Sequence, residues 1–199
     1  ELKKFNVKKI VVLEETDKET INSIKKFDCK ILHQTNKGYG DAILLGIKNV
    51  QTKYFCIFNA DGSFNPIELP NMLNIINDNS LDIVFASRYE KDCSSEDDTI
   101  VTFLGNFIFT NIGKIFFNLN ITDILYTFVI GDTKKVNDLN LISKDFVLCV
   151  ELPIISKKNN LKIGTSKSNE RARLGGKKKV NALKDGYLIL VGMIKLFFK

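Results

Sequence analysis

Two short stretches carry side chains whose type and spacing suit chemistry. Asn59-Ala60-Asp61-Gly62-Ser63 sets two oxygen-bearing side chains two residues apart, directly after the apolar run Tyr54-Phe55-Cys56-Ile57-Phe58. Asp61 is a hard oxygen ligand of the kind Mg2+ or Mn2+ takes, and those ions commonly bridge one or two carboxylates to a substrate diphosphate. The competing role for Asp61 is an Asx-turn that caps the chain reversal at Gly62. The second stretch is Asn36-Lys37-Gly38-Tyr39-Gly40-Asp41, whose glycines permit close backbone approach where a helix start offers N–H groups to an anion. Taken alone, it serves equally well as a plain turn.

Such groups need elements to hold them. The apolar run from Tyr54 reads as a strand covered on both faces, and the carboxyl ends of such strands are where open α/β sheets bind ligands. Pro66 opens a helix to Asn77, with Asn65 as N-cap and Glu68 in its first turn. Around it the pattern alternates: strands at Lys8 to Leu13, Lys30 to His33 and Leu81 to Ala86, and helices at Asp17 to Phe27 and Tyr39 to Val50. Strands interleaved with helices predict a Rossmann-like, mostly parallel central sheet flanked by helices. After Arg88 the pattern changes. Lys91 to Thr99 is polar and reads as a mobile loop, followed by a long apolar helix from Val101 to Leu119 and a short strand near Thr127 to Ile130. A helix around Val147 to Lys157, a strand from Leu161 to Ser166, a basic loop from Arg171 to Lys179 and a helix from Ala182 to Phe198 complete the chain. With no repeat and no linker, residues 1–199 read as one domain, 1–90 forming a binding half and 91–199 an elaboration that closes the site.

Composition narrows the class. The chain has 199 residues, 44% hydrophobic and 26% charged, enough apolar residue for a full core. Net charge is +6, but apart from Lys177-Lys178-Lys179 the lysines are scattered, which predicts a solvated surface and no nucleic-acid partner. The four cysteines have no paired spacing and the single histidine is His33, which argues against zinc and disulfides and for a reducing, cytoplasmic compartment.

In order and spacing, Asn36 to Gly40, Phe58 to Gly62, Ala86-Ser87-Arg88, Ile121-Thr122-Asp123 and Arg171 to Lys178 resemble the family 2 inverting glycosyltransferases, above all the dolichyl- or undecaprenyl-phosphate sugar synthases. The resemblance implies a GT-A fold, a UDP- or GDP-sugar donor, Mg2+ or Mn2+, and a polyprenyl phosphate or cell-envelope glycan acceptor at the cytoplasmic face of a membrane. Residue by residue, it places Asn59 and Asp61 at the D-x-D positions, with Ser63 as a third metal-side group. Glu14 and Glu15 fall where the nucleoside is held, and Lys37, Gly38 and Gly40 join the donor site. Arg88 corresponds to the arginine that meets phosphate oxygens, and Asp123 stands near the position of the catalytic base. Arg171, Arg173, Lys177 and Lys178 match a loop that folds over the diphosphate. Against a sugar hydroxyl, Asp123 is the candidate base; against a phosphate, already ionised, it positions groups instead.

The departures count too. Asn59 replaces the first acid of D-x-D, and the family's opening strand has no counterpart before Ile10. They keep open a catalytically impaired, nucleotide-sugar-binding or scaffolding domain; a nucleotidyltransferase ranks below, for want of a glycine-rich N-terminal loop. The apolar stretch Tyr187 to Phe198, with Lys184, Lys195 and Lys199 beside it, suits either a core helix or contact with an anionic membrane surface.

Overall fold

The structure is a computed structural model and describes residues 1–176 and 180–199, so Lys177 and Lys178 lie outside the described residues. The chain forms β1 (Ile10–Leu13), α1 (Lys18–Ile24), β2 (Lys30–His33), α2 (Tyr39–Lys48), β3 (Tyr54–Ile57), a 3-10 turn (Pro66–Glu68) running into α3 (Leu69–Asp78), and β4 (Ile83–Ser87). It continues through α4 (Ile100–Phe117), β5 (Val129–Asp132), α5 (Thr133–Asp138), α6 (Leu148–Lys158), β6 (Ile163–Lys167) and α7 (Ala182–Phe198). Asn65 caps the Pro66 turn as expected, its Oδ1 accepting from Ile67 N–H at 3.2 Å. Thr99 and Thr102 close a reciprocal cap on α4, and Asn118 ends that helix in the left-handed region at φ 51°.

The expected α/β architecture, a central sheet flanked by helices, is present. Its four-stranded sheet runs β3-β5-β4-β6, with β4 and β6 parallel, while β1 and β2 form a separate parallel pair. One feature departs from the parallel expectation: β5 lies between β3 and β4, antiparallel to both. The cause is the return of the chain. After β4, helix α4 and its connection come back to the end of the sheet where β4 finished, and the Ile124 N–H is fixed on α4 by Thr110 Oγ1 at 3.2 Å. A strand starting at that end can only run the other way.

Strand alternation divides the core between the two faces of this sheet. Ile83, Phe85 and Val129 face α4, α6 and α7 along with Phe109, Val150, Ile154 and Met193. Val84, Ala86 and Ile130 face α3 along with Phe64, Met72 and Ile76. Every residue of β4 is buried, which accounts for its unbroken apolar sequence.

Candidate functional site

The carboxyl ends of β3, β4 and β6 and the start of β5 open on one edge of the sheet, and the polar side chains converge there. The turn after β3 sets Asp61: Gly62, at φ +89°, lets the chain reverse, and Asp61 Oδ1 accepts from the N–H and hydroxyl of Ser63 at 3.0 and 2.8 Å. The Asx-turn role is therefore real, and it aims the second oxygen outward. That oxygen, Oδ2, faces Arg173 Nη1 at 3.2 Å, while Arg173 Nη2 reaches Asp97 at 3.3 Å. Backbone contacts dock the arginine segment on the turn, with Arg171 N–H on Ser63 O at 2.9 Å and Leu174 N–H on Asp61 O at 2.8 Å. A Cβ at Gly62 would meet the Leu174 side chain at 2.6 Å, so glycine is required for fit as well as for φ.

Arg88 leaves the end of β4 into a nearly closed box. Its Nε and Nη2 donate to the two oxygens of Asp123 at 2.7 and 3.0 Å, its backbone N–H donates to Asp123 at 3.1 Å, and Nη1 reaches Glu170 at 2.9 Å. Tyr126 and Tyr89 cover the guanidinium, with ring centroids 4.5 and 5.1 Å from Cζ. Burial pulls the Arg88 pKa down, but the Asp123 and Glu170 carboxylates outweigh it and hold it above its ordinary value. The Asp123 side chain has 0% exposure. Sequence reasoning named both residues and the structure unites them: Arg88 is engaged by the protein's own carboxylates, and both Asp123 oxygens accept from Arg88.

The other expected residues distribute as follows. Asn59 is half-buried at the end of β3, with no hydrogen-bond partner among the described residues. Ser63 is 1% exposed with its hydroxyl committed to Asp61, so it positions that carboxylate. Glu14 and Lys37 form an exposed ion pair at 3.4 Å, with Glu15 beside them in solvent. Gly38 and Gly40 do allow close backbone approach, but to the Ser143–Asp145 backbone, with Asp41 N–H on Lys144 O at 3.0 Å. Arg171 turns away to Glu1, making two contacts of 2.9 Å, and to Phe64 O at 2.7 Å.

Glu170, Tyr89 and Tyr126 escaped the sequence reading. For Glu170 the signal was the acid standing against the basic run at Arg171. The polar segment after Arg88, expected as a mobile loop, has partners: residues 94–98 pair along residues 169–173. Glu96 N–H bonds Glu170 O, and Glu170 N–H bonds Ser94 O, both at 3.0 Å. Ala172 N–H reaches Glu96 at 3.1 Å, and the Ser95 hydroxyl donates to Glu170. Asp98 accepts from the hydroxyls of Tyr89 and Thr102. Such a segment has little to bury, yet its polar groups find partners on a neighbouring segment of the same chain.

Among the described residues no three His, Cys, Asp or Glu side chains group around a cation. Asp61 with the unpartnered amide of Asn59 still matches an ion that takes one or two protein oxygens and draws the rest from phosphates and water. The fit therefore depends on a diphosphate being present.

The family model described as glycosyl transferase family 2 matches residues 3–139. A curated relative, a UDP-N-acetylglucosamine–dolichyl-phosphate N-acetylglucosaminyltransferase from Methanococcus voltae, is 28% identical over 140 residues, 67% of this chain and 55% of the relative. The chain thus spans about half the length of that relative. Among solved structures, glucosyl-3-phosphoglycerate synthase from Mycobacterium tuberculosis with UDP superposes at TM-score 0.71 and 12% identity, over 95% of this chain and 68% of that one. The same synthase with Mn2+, UDP and glucosyl-3-phosphoglycerate gives 0.70 and 12%, over 96% and 69%. These likenesses show the fold, and since the family match takes in well over half of the sequence, the chain belongs to glycosyl transferase family 2.

Proposed function

We propose that the chain transfers a sugar from a UDP- or GDP-sugar to a polyprenyl phosphate, with inversion at the anomeric carbon. The observation that carries this reading is the state of the carboxylates. Asp123 and Glu170 hold Arg88, Asp61 and Asp97 hold Arg173, and Asp98 holds two hydroxyls. A hydroxyl acceptor needs a base with an open oxygen; an ionised phosphate needs none. The dolichyl phosphate in the name of the archaeal relative supports the same acceptor, and the Mn2+ and UDP of the mycobacterial complex support the donor.

The reaction is a single displacement. A phosphate oxygen of the acceptor attacks the anomeric carbon, the bond to the donor diphosphate breaks, and its electron pair leaves with the nucleoside diphosphate. Positive charge develops on the sugar and negative charge on the departing diphosphate, so cations at the diphosphate lower the barrier. Asp61 and Asn59 would hold Mg2+ or Mn2+, which when bound neutralises diphosphate oxygens. Arg173 adds positive charge, as would Lys177 and Lys178 a few residues on in the sequence, and Ser63 keeps Asp61 aimed. Glu14, Glu15 and Lys37, at the ends of β1 and β2, face the nucleoside, and Gly38 and Gly40 shape the turn that carries Lys37. Arg88 and Asp123 act together as a rigid wall that positions the acceptor.

Calorimetric titration of UDP, GDP and their sugar conjugates, with and without Mn2+, tests the donor site. One nucleotide should bind with metal dependence, and Asp61→Ala should abolish it. Transfer of labelled sugar to dolichyl phosphate tests the acceptor; labelling of a hydroxyl glycan in its place would sink the phosphate reading. The Asp61–Arg173 pair also favours a second reading, a binding domain without turnover, because it neutralises the carboxylate without metal. Nucleotide binding that persists in EDTA with no transfer to either acceptor would select it.

A further inference from the structure

Helix α6 carries one acid among apolar neighbours. Leu148 through Ser156 are all buried, and within that run Glu151 is 2% exposed. Its carboxylate binds backbone: Oε2 accepts from the N–H groups of Ser143 and Ile142 at 2.8 and 3.2 Å, and Oε1 accepts from Ile142 at 3.2 Å. A buried acid is a poor device for stability alone, because taking it out of water costs about what its bonds return. Its effect here is to fix a segment with little else to hold its middle. Residues 140–144 form no helix or strand, and Ile142, Lys144 and Asp145 are exposed, with Leu141 and Phe146 packed on the core at either side.

That segment receives the turn between β2 and α2. Lys144 O accepts from the Asp41 N–H at 3.0 Å. A Cβ on Gly38 would lie 2.1 Å from Lys144 O, and one on Gly40 would lie 2.4 Å from Ser143 O, so the two backbones meet with no side chain between them. Between the glycines, Tyr39 stacks on Phe146 at 4.9 Å and its hydroxyl bonds Thr127 Oγ1 at 2.5 Å. Gln34 also shapes the turn, donating to Gly38 O at 2.9 Å, but it stands at the end of β2 and cannot tie the smaller sheet to the larger one. The connection between sheets at this point runs from α6 through Glu151 to residues 142–143, through the carbonyls of Ser143 and Lys144 to the glycine turn, and so to Lys37 and its partner Glu14.

A nucleoside diphosphate that rests its nucleoside on Glu14, Glu15 and Lys37 and its diphosphate at Asp61 spans both sheets. Its affinity then depends on how the sheets stand relative to each other, and a small misplacement far from the reacting atoms is felt in binding. We infer that Glu151 is a positioning residue for the donor site: from inside the core it fixes where the Lys37–Asp41 turn stands relative to Asp61, without touching the donor. The donor role of the turn rests on the function proposed above; the clamp itself rests on the hydrogen bonds of Glu151.

Hydrogen exchange and calorimetry on the 199-residue chain test this together. Glu151→Leu places an apolar side chain of similar size among apolar neighbours and gives up both backbone contacts, whereas Glu151→Gln keeps the length and one acceptor oxygen. In Glu151→Leu the Asp41 amide should exchange about tenfold faster while the β4 amides keep their protection. UDP or GDP, whichever the wild-type chain binds with Mn2+, should bind on the order of tenfold more weakly. Glu151→Gln should recover part of both effects, and it carries the comparison if the leucine variant does not fold. Asp82→Asn is the control, since Asp82 is also a buried acid on a backbone N–H, that of Lys162 at 2.8 Å, but at the amino end of β4. It should lower stability in urea and leave nucleotide affinity unchanged. Unaltered exchange at Asp41, unaltered affinity despite faster exchange there, or an equal loss of affinity in Asp82→Asn would each overturn the inference. A wild-type chain that binds neither nucleotide, while the Glu151 variants still release Asp41, would count against the proposed function and leave the clamp standing.

Discussion

Arg88 illustrates how one side chain can tie together several parts of a site, joining the end of β4 to Asp123 and Glu170. Its fork fits Asp123, and two tyrosine faces cover it, a combination that lysine cannot reproduce. Arg88→Ala should cost about 3–5 kcal/mol in urea unfolding, because Asp123 would be left buried without a counter-charge. Arg88→Lys should recover part of that and still lie about 2 kcal/mol below wild type; a lysine variant of wild-type stability would show that the fork geometry is irrelevant. Asp98 sets an acid limit. Burial pushes its pKa up, but hydrogen bonds from Thr102 and Tyr89 prevail and hold it below the ordinary 3.8. A carboxylate depressed on folding adds stability above its ordinary pKa, and that increment is lost as pH falls through the lowered value. Asp98→Asn should therefore flatten the stability profile below roughly pH 4, by less than about 1 kcal/mol because the group is partly exposed. Stability measured from pH 7 down to 2 checks this, and parallel curves for the two proteins would refute it.

Among the elements, the turn after β3 depends on aromatic packing beneath it. Phe64 is 1% exposed, stacks on Phe128 at 4.8 Å, and meets Tyr126 and Phe58 edge-on at 5.0 and 5.8 Å. Phe64→Ala should cost about 3–5 kcal/mol in chemical denaturation. It should also weaken nucleotide binding, since Ser63 and Asp61 stand on that ring; a destabilised variant with unchanged affinity would separate the turn from its support. The sequence made the positions of the strands, the Asn65 cap and the polar turn readable, because each rests on neighbours in the chain. The direction of β5 was not readable: four residues from Val129 carry the same apolar signal whichever way they run. The Glu170–Arg88 bond was out of reach for a similar reason, since it joins residues 82 apart in sequence. The turn glycines were recognised by type, but their partner, the Ser143–Asp145 backbone, left no local trace.

At the scale of the molecule, the two sheets should differ in permanence. All of β4 is buried, whereas β1 is half-buried throughout and the end residues of β2 are exposed. The smaller sheet meets the rest through α2, where Ile47 enters the main core and a Cβ at Gly46 would lie 3.4 Å from the Val12 side chain. Amides of β1 and β2 should exchange with deuterium about a hundredfold faster than those of β4, as expected of a unit that opens without global unfolding. Equal protection in both sheets would show that they unfold as one.

The antiparallel β5 also bears on how the protein is made. Strands β3 and β4 leave the ribosome as neighbours in sequence that do not pair with each other; the strand that joins them begins at Val129, after β4 has ended at Ser87. Synthesis proceeds at about 5–20 residues per second, so for several seconds the nascent chain displays two apolar strands with open edges. Adding α4 in that interval lengthens the apolar stretch without pairing either edge. The period before residue 132 emerges is thus when a chaperone has most to protect, and slow codons placed shortly before Val129 should lower soluble yield more than the same codons placed after Asp132.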